Sequence, residues 1–229
     1  MSFMLALPKI SLHGAGAIGD MVNLVADKQW GKALIVTDGH LVEMGLLDSL
    51  FQALEAHQLS YHLFDNVFPN PTEALVQQGI AAFRAAQCDY IIAFGGGSPI
   101  DTAKAVKILS ANPAPSTAYS GVGKVKNAGV PLVAINTTAG TAAEMTSNAV
   151  IIDSERQVKE VIIDPNIIPD IAVDDASVML DIPPSVTAAT GMDALTHAIE
   201  AFVSVGAHPL TDANALEAIR LIHQWLPLA

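Results

Sequence analysis

The sequence predicts an α/β fold: a parallel, Rossmann-like sheet with helices on both faces, followed by the start of an all-helical domain. Three observations predict it. Short β-branched, apolar runs alternate with longer runs of helical spacing. The strand-like runs are apolar throughout, as in strands buried on both faces. From Ser185 onward the chain reads as helix, with no strand signal left.

Taken in order, Lys32 to Thr37 is the first strong strand, ended by Asp38-Gly39. Leu41 to His57 follows as helix, with Leu, Met and Phe at helical spacing. Tyr61 to Phe64 is a shorter strand, closed by Asp65-Asn66 and by the breaker Pro69-Asn70-Pro71. Thr72 is placed to cap the next helix, whose apolar face carries Leu75, Val76, Ile80 and Phe83. Tyr90 to Phe94 is strand and runs into Gly95-Gly96-Gly97; Ile100 to Ser110 is helix and Leu132 to Asn136 strand. Val150 to Ile152 and Val158 to Ile163 flank Asp153-Ser154-Glu155-Arg156, the pattern of an antiparallel hairpin. Pro183-Pro184 marks the change to helix, so the boundary is placed near residue 181, between domains of 1–180 and 181–229.

Composition narrows the function. Of the 229 residues 51% are hydrophobic and 15% charged, enough for a large core and for apolar surface covered by another chain. The net charge of −12 argues against nucleic acid and against anionic membrane surfaces. No apolar run approaches the ~18 residues that span a bilayer. The N-terminus lacks the basic and apolar regions of a signal peptide. Cys88 is the only cysteine, which fits a reducing cytoplasm and a buried, inert thiol.

Several stretches can carry chemistry. Gly95-Gly96-Gly97-Ser98-Pro99-Ile100-Asp101 joins a strand to a helix, where bare glycine amides can approach a phosphate and the helix N-terminus adds partial positive charge. Ser98 suits the N-cap, Pro99 the first helical position, and Asp101 a capping-box-like arrangement. The stretch is neither a Walker loop nor GxGxxG, and taken alone it reads more readily as a simple tight turn. Thr137-Thr138-Ala139-Gly140-Thr141 follows the next strand, where loops line the crevice of a parallel sheet; a loop that bonds its own backbone is the alternative. Asp38 can accept from ribose hydroxyls and repel a 2′-phosphate, or simply form a turn before Gly39. Lys159 sits in an apolar strand, where a lysine also guards sheet edges.

Asp193 and His197 are four residues apart in a helix-favouring stretch, which stacks them on one face as two donors for a divalent cation. A solvent-facing pair has the same spacing. The remaining histidines lack ligand-like spacing, and neither a nucleophile elbow nor a carboxylate pair for glycoside chemistry is present.

Three motifs in order, Gly95-Gly96-Gly97-Ser98-Pro99-Ile100-Asp101-Thr102-Ala103-Lys104, Thr137-Thr138-Ala139-Gly140-Thr141-Ala142-Ala143-Glu144 and Ala189-Thr190-Gly191-Met192-Asp193-Ala194-Leu195-Thr196-His197-Ala198-Ile199-Glu200, resemble the iron-containing (group III) alcohol dehydrogenases. Within that family the sequence is similar to lactaldehyde, propanediol and short-chain primary alcohol dehydrogenases. The resemblance implies an N-terminal domain binding NAD(H) and a helical domain carrying Fe2+, alternatively Zn2+, as Lewis acid for a small primary alcohol or aldehyde. It implies that Gly96, Gly97 and Ser98 hold the pyrophosphate, with Asp101 in the same motif. Thr137, Thr138 and Thr141 would line the other side. Asp38 would meet the adenosine ribose and favour NAD, Asn70 and Lys159 would touch cofactor, and Asp193 and His197 would be the first two metal ligands. No catalytic residue beyond these ligands is expected.

In the family two further histidine ligands lie downstream of Ala229, so the chain is expected to be C-terminally truncated. Leu195, Ile199, Leu216 and Ile219 are then expected to lack packing partners. A homo-oligomeric, dimeric, cytoplasmic oxidoreductase is the expectation. An NAD-binding remnant, or a partner of a full-length enzyme without turnover of its own, is the alternative, and the related zinc glycerol dehydrogenases are a further one.

Overall fold

A computed structural model of the chain describes residues 4–180 and 182–229. The residue at which the sequence places the boundary, Asp181, lies outside the described residues. The chain divides into two compact units, 1–137 with 143–178, and 138–142 with 179–229.

The first unit is the expected α/β domain. In chain order its elements are β1 (Ile10–His13), α1 (Ala17–Asp27), β2 (Lys32–Val36), α2 (Gly39–Glu43), α3 (Asp48–Ala56), β3 (Ser60–Phe64), α4 (Glu73–Ala85), β4 (Tyr90–Gly95), α5 (Gly97–Ala111), β5 (Gly121–Val122), β6 (Leu132–Asn136), β7 (Asn148–Asp153), β8 (Val158–Ile163) and β9 (Ile171–Asp174). Six strands form one sheet in the order β1-β9-β6-β4-β2-β3, parallel at every pairing. The hairpin sits apart, in a three-stranded sheet β5-β8-β7 whose β7–β8 pairing is antiparallel.

The apolar strands are apolar because both of their faces are covered. Leu34, Val36, Ile91, Ala93, Leu132 and Ala134 join one core with Leu75, Val76, Ile80 and Phe83 of α4 and with Ile100, Ala103 and Val106 of α5. The alternate residues, Ala33, Ile35, Ile92, Phe94, Val133 and Ile135, are also fully buried, as are Met21, Val22 and Val25 of α1 and Leu50 and Leu54 of α3. Each of the Val, Leu, Ile, Phe and Met side chains among these contributes about 1.5–3 kcal/mol. Thr72 caps α4 as expected, its hydroxyl accepting from the Leu75 amide. Gly79 lets α4 lie close on α5, since a Cβ there would meet Cγ2 of Val106 at 2.8 Å.

The structure corrects three local expectations. The single helix over 41–57 is two, α2 and α3, separated by Gly45 at φ +72. The sheet is wider than expected, because β1 and β9 add an edge, and α1 is an additional helix. Finally, α5 begins three residues before Ile100: its N-cap is Gly96, Ser98 and Pro99 lie inside its first turn, and no side chain caps it.

The second unit consists of α6 (Pro184–Val203) and α7 (Pro209–Trp225), packed on each other, with the segment 138–142. His208 caps α7 in a reciprocal box with Thr211, which is its structural role. Ile199 and Leu216 are 46% and 51% exposed, as expected of residues lacking partners. Leu195 and Ile219 line an apolar hollow of about 370 Å³ with Met192, Ile222 and Leu226.

Candidate functional site

The sheet order locates the crevice. From β2 the chain crosses to β3 on one side, and from β4 it crosses to β6 on the other. The carboxyl ends of β2 and β4 therefore flank a switch point, where open parallel sheets bind ligands. β2 ends at Val36, just before Thr37-Asp38, and β4 ends in the glycine turn.

Two adjoining clefts open there. The first, about 180 Å³, is lined by Asp38, Val67, Phe68, Pro69, Gly96, Gly97, Ser98 and Pro99. The second, about 230 Å³, shares Gly97 and Ser98 and adds Asn70, Pro71, Asp101, Val150, Ile152 and Lys159. Seven residues singled out from sequence thus line one continuous surface: Asp38, Asn70, Gly96, Gly97, Ser98, Asp101 and Lys159.

Local structure explains how each is held. Gly95 has φ +144, and a Cβ on it would stand 2.6 Å from Cγ of Pro99, so only glycine fits this turn. The fifteen-residue α5 then points an uncapped N-terminus at the clefts, a ready anion site. Asp38 caps α2 by accepting from the Leu41 amide at 3.0 Å. Asn70 is held at φ +59, a left-handed conformation that asparagine tolerates better than most residues. Lys159 is exposed on β8, paired with Ile152 of β7. β5 pairs with β8 only at Ile162 and Ile163, so beside Lys159 the second side of β8 has no strand neighbour among the described residues.

Asp101 accepts from the Val150 amide at 3.0 Å. Burial pushes its carboxyl up to about 6, against the opposing pull of Lys104 and of that hydrogen bond. The bond replaces the capping arrangement expected for this residue.

The remaining candidates do not line these two clefts. Thr137 is buried at the end of β6, its amide donating to the Gly95 carbonyl at 3.2 Å. Thr138 and Thr141 belong to the segment that clusters with the helical unit. There Gly140 lies against α6, since its Cβ would meet that of Thr190 at 2.9 Å. Asp193 and His197 are on α6, with Oδ2 and Nε2 3.6 Å apart and side chains 46% and 59% exposed. Their spacing suits two donors to one cation. Among the described residues, however, no group of three or more His, Cys, Asp or Glu side chains is arranged for a metal ion.

The comparisons with known proteins converge on one family. The sequence profile of iron-containing alcohol dehydrogenases matches residues 8–176, and that of the C-terminal domain of the same enzymes matches residues 187–229. The chain belongs to the iron-containing alcohol dehydrogenase family. Within this family it is 44% identical over 224 residues to lactaldehyde reductase of Escherichia coli K12, covering 97% of this chain and 59% of that protein. It is 43% identical to the NAD-dependent methanol dehydrogenase of Bacillus methanolicus, covering 97% of this chain and 58% of that one. A crystal structure of 1,3-propanediol oxidoreductase superposes with a TM-score of 0.96 at 40% identity, over 99% of this chain and 59% of the other. The chain thus spans under three fifths of the length of these relatives, while 97–99% of its own length takes part.

Sequence reasoning missed one part of the region. Lys104, on the helix that follows the glycine turn, and Glu144 are both buried, and burial pushes Lys104 down to about 8 and Glu144 up to about 7. The signal for Lys104 was the apolar character of α5 on all sides, which leaves a lysine no solvent face.

Proposed function

We propose that residues 1–180 form an NAD(H)-binding domain and that the helices from 181 onward are the N-terminal part of a metal-binding domain. The whole acts in hydride transfer between NAD(H) and a small primary alcohol or aldehyde. The observation that supports this reading most is the pair of clefts at the switch point, which collects the candidate cofactor residues around an uncapped helix N-terminus. Gly96, Gly97 and Ser98 would present amides to the pyrophosphate. Asp38 would accept from the adenosine ribose and repel a 2′-phosphate. Asn70, Asp101 and Lys159 would line the neighbouring cleft, and Thr137, Thr138 and Thr141 would complete the cofactor contacts.

Asp193 and His197 would supply two donors to a divalent cation, Fe2+ or Zn2+, both of which accept carboxylate and imidazole. Two donors are an incomplete set, so further ligands must come from outside this pair. The redox chemistry belongs to the nicotinamide, and the cation supplies Lewis-acid polarisation of the alcohol oxygen when bound. This chain's own residues bind, orient and select.

The incomplete donor set favours a second reading, in which these 229 residues bind NAD without turnover, alone or beside a full-length relative. A cytoplasmic homodimer is the setting we propose for either. Titration with NADH, followed by fluorescence, and elemental analysis of anaerobically purified protein test both. NADH binding with about one iron or zinc per chain, and oxidation of propanediol or methanol with NAD, supports the dehydrogenase. Binding without metal supports the second reading, and no NADH binding overturns both.

A further inference from the structure

Phe68 departs from the pattern of its neighbours. Phenylalanine and valine are among the residue types most often buried. Phe64 and Val67 follow that habit at 5% exposure each, whereas Phe68 is 46% exposed. The backbone explains the difference. Asn66 bridges Asp38 in antiparallel register, and the Val67 amide donates to the Thr37 carbonyl at 3.2 Å. Along such a paired, extended segment successive side chains take opposite sides. Val67 enters the core, and Phe68 faces away from it. Pro69 comes next, and a residue before proline is confined to extended conformations. Pairing before it and proline after it thus hold the Phe68 ring in the wall of the first cleft, together with Asp38.

The lining of that cleft is of three chemical kinds. The glycine turn and the start of α5 offer amides, Asp38 offers a carboxylate, and Val67, Phe68 and Pro69 are apolar. In a dinucleotide the adenosine ribose is linked on one side to the pyrophosphate and bonded on the other to the adenine. With the pyrophosphate at the glycine turn and the ribose at Asp38, the apolar residues are the lining left for the base. Among them only Phe68 carries an aromatic face, and that ring is already open to the solvent.

We propose that Phe68 is the platform on which the adenine of the dinucleotide stacks. The inference rests on the reading of the first cleft as the adenosine half of a dinucleotide site. Stacking on an aromatic side chain supplies a large share of the affinity for a base and needs no hydrogen bond to its edge. A ring held in place before the ligand arrives also loses little conformational freedom on binding.

The test measures NADH by fluorescence, and ADP-ribose by displacement of NADH, on the 229-residue chain and on its Phe68→Ala variant. Absence of NADH binding to the wild type overturns the reading of the cleft and this inference together. With wild-type binding present, Phe68→Ala is expected to bind both ligands roughly tenfold more weakly. Because the ring is exposed, the thermal midpoint is expected to stay near that of the wild type. Unchanged NADH affinity overturns the inference and leaves the dinucleotide reading standing. ADP-ribose lacks the nicotinamide, so a loss for NADH alone would put the nicotinamide on the ring and overturns the inference as well. Should the alanine variant be unstable, Phe68→Trp decides, since it retains an aromatic face. ADP-ribose is expected to quench its emission beyond any quenching of Trp30 and Trp225 in the wild type. Binding without that added quenching overturns the inference.

Discussion

The Asp101 carboxylate accepts the Val150 amide at 3.0 Å, which joins the first turns of α5 to the opening strand of the hairpin. One side chain thereby holds the two walls of the second cleft, the helix start and the strand pair that carries Lys159.

Replacing Asp101 by alanine leaves the partly buried Val150 amide without its acceptor. Urea unfolding is expected to show a loss of about 1–3 kcal/mol. Asp101→Asn retains an acceptor oxygen and is expected to stay within about 1 kcal/mol of wild type. Equal losses for the two variants would show that charge, and not the hydrogen bond, joins the walls.

Asp38 caps α2, and substitution can separate that role from the ribose contact proposed for it. Asp38→Ser keeps a cap for α2 while removing the negative charge from the first cleft. The NADPH-to-NADH affinity ratio is expected to rise roughly tenfold or more, with the thermal midpoint near that of wild type. An unchanged ratio in fluorescence titrations would place the ribose elsewhere.

Asp193→Ala and His197→Ala each remove one donor from an exposed pair on α6. Elemental analysis is expected to show bound iron or zinc falling to background in either variant. Helix content should not change, because neither side chain is buried. Metal retained in both variants would rule the pair out as ligands.

The buried carboxyl groups give stability a slope with pH. Burial raises Asp101 to about 6 and Glu144 to about 7, so the folded chain holds protons that the unfolded chain has released. Stability therefore falls as pH rises from ~4 to about 7. Asp170 acts oppositely: burial favours its proton, but Lys107, Lys9 and the Leu132 amide outweigh burial and hold it below the usual range. Its contribution is present above the ordinary aspartate range and is lost as pH falls through its depressed value. Thermal midpoints measured from pH 3 to 8 check both slopes, and a midpoint rising steadily to pH 7 would contradict the first.

The sequence was most legible where one residue type has one physical use. Continuous apolar runs marked β2, β4 and β6 because both faces of those strands are covered, and Thr72 announced α4 through its cap. The edge was not legible. β1, Ile-Ser-Leu-His, alternates polar and apolar over four residues, and β9 is equally short, so neither has the length of a strand signal. The start of α5 was misplaced because Ser98 and Pro99 are good terminal residues, yet Gly96 takes the extended cap position. For Asp193 and His197 the spacing correctly placed both side chains together on α6, but spacing says nothing about whether a cation or further ligands join them.

The register of the sheet edge also orders events in time. β1 has one neighbour in the sheet, β9, and 161 residues separate Lys9 from Asp170, the ion pair at the foot of that pairing. During synthesis β1 must wait for β9 before its backbone can be paired. Closing so long a loop is slow, and until it closes the exposed edge of β6, where β9 will lie, is open to wrong partners. The nascent chain thus carries its greatest risk of misassembly just before residue 174 emerges, when the glycine turn and its helix are already complete.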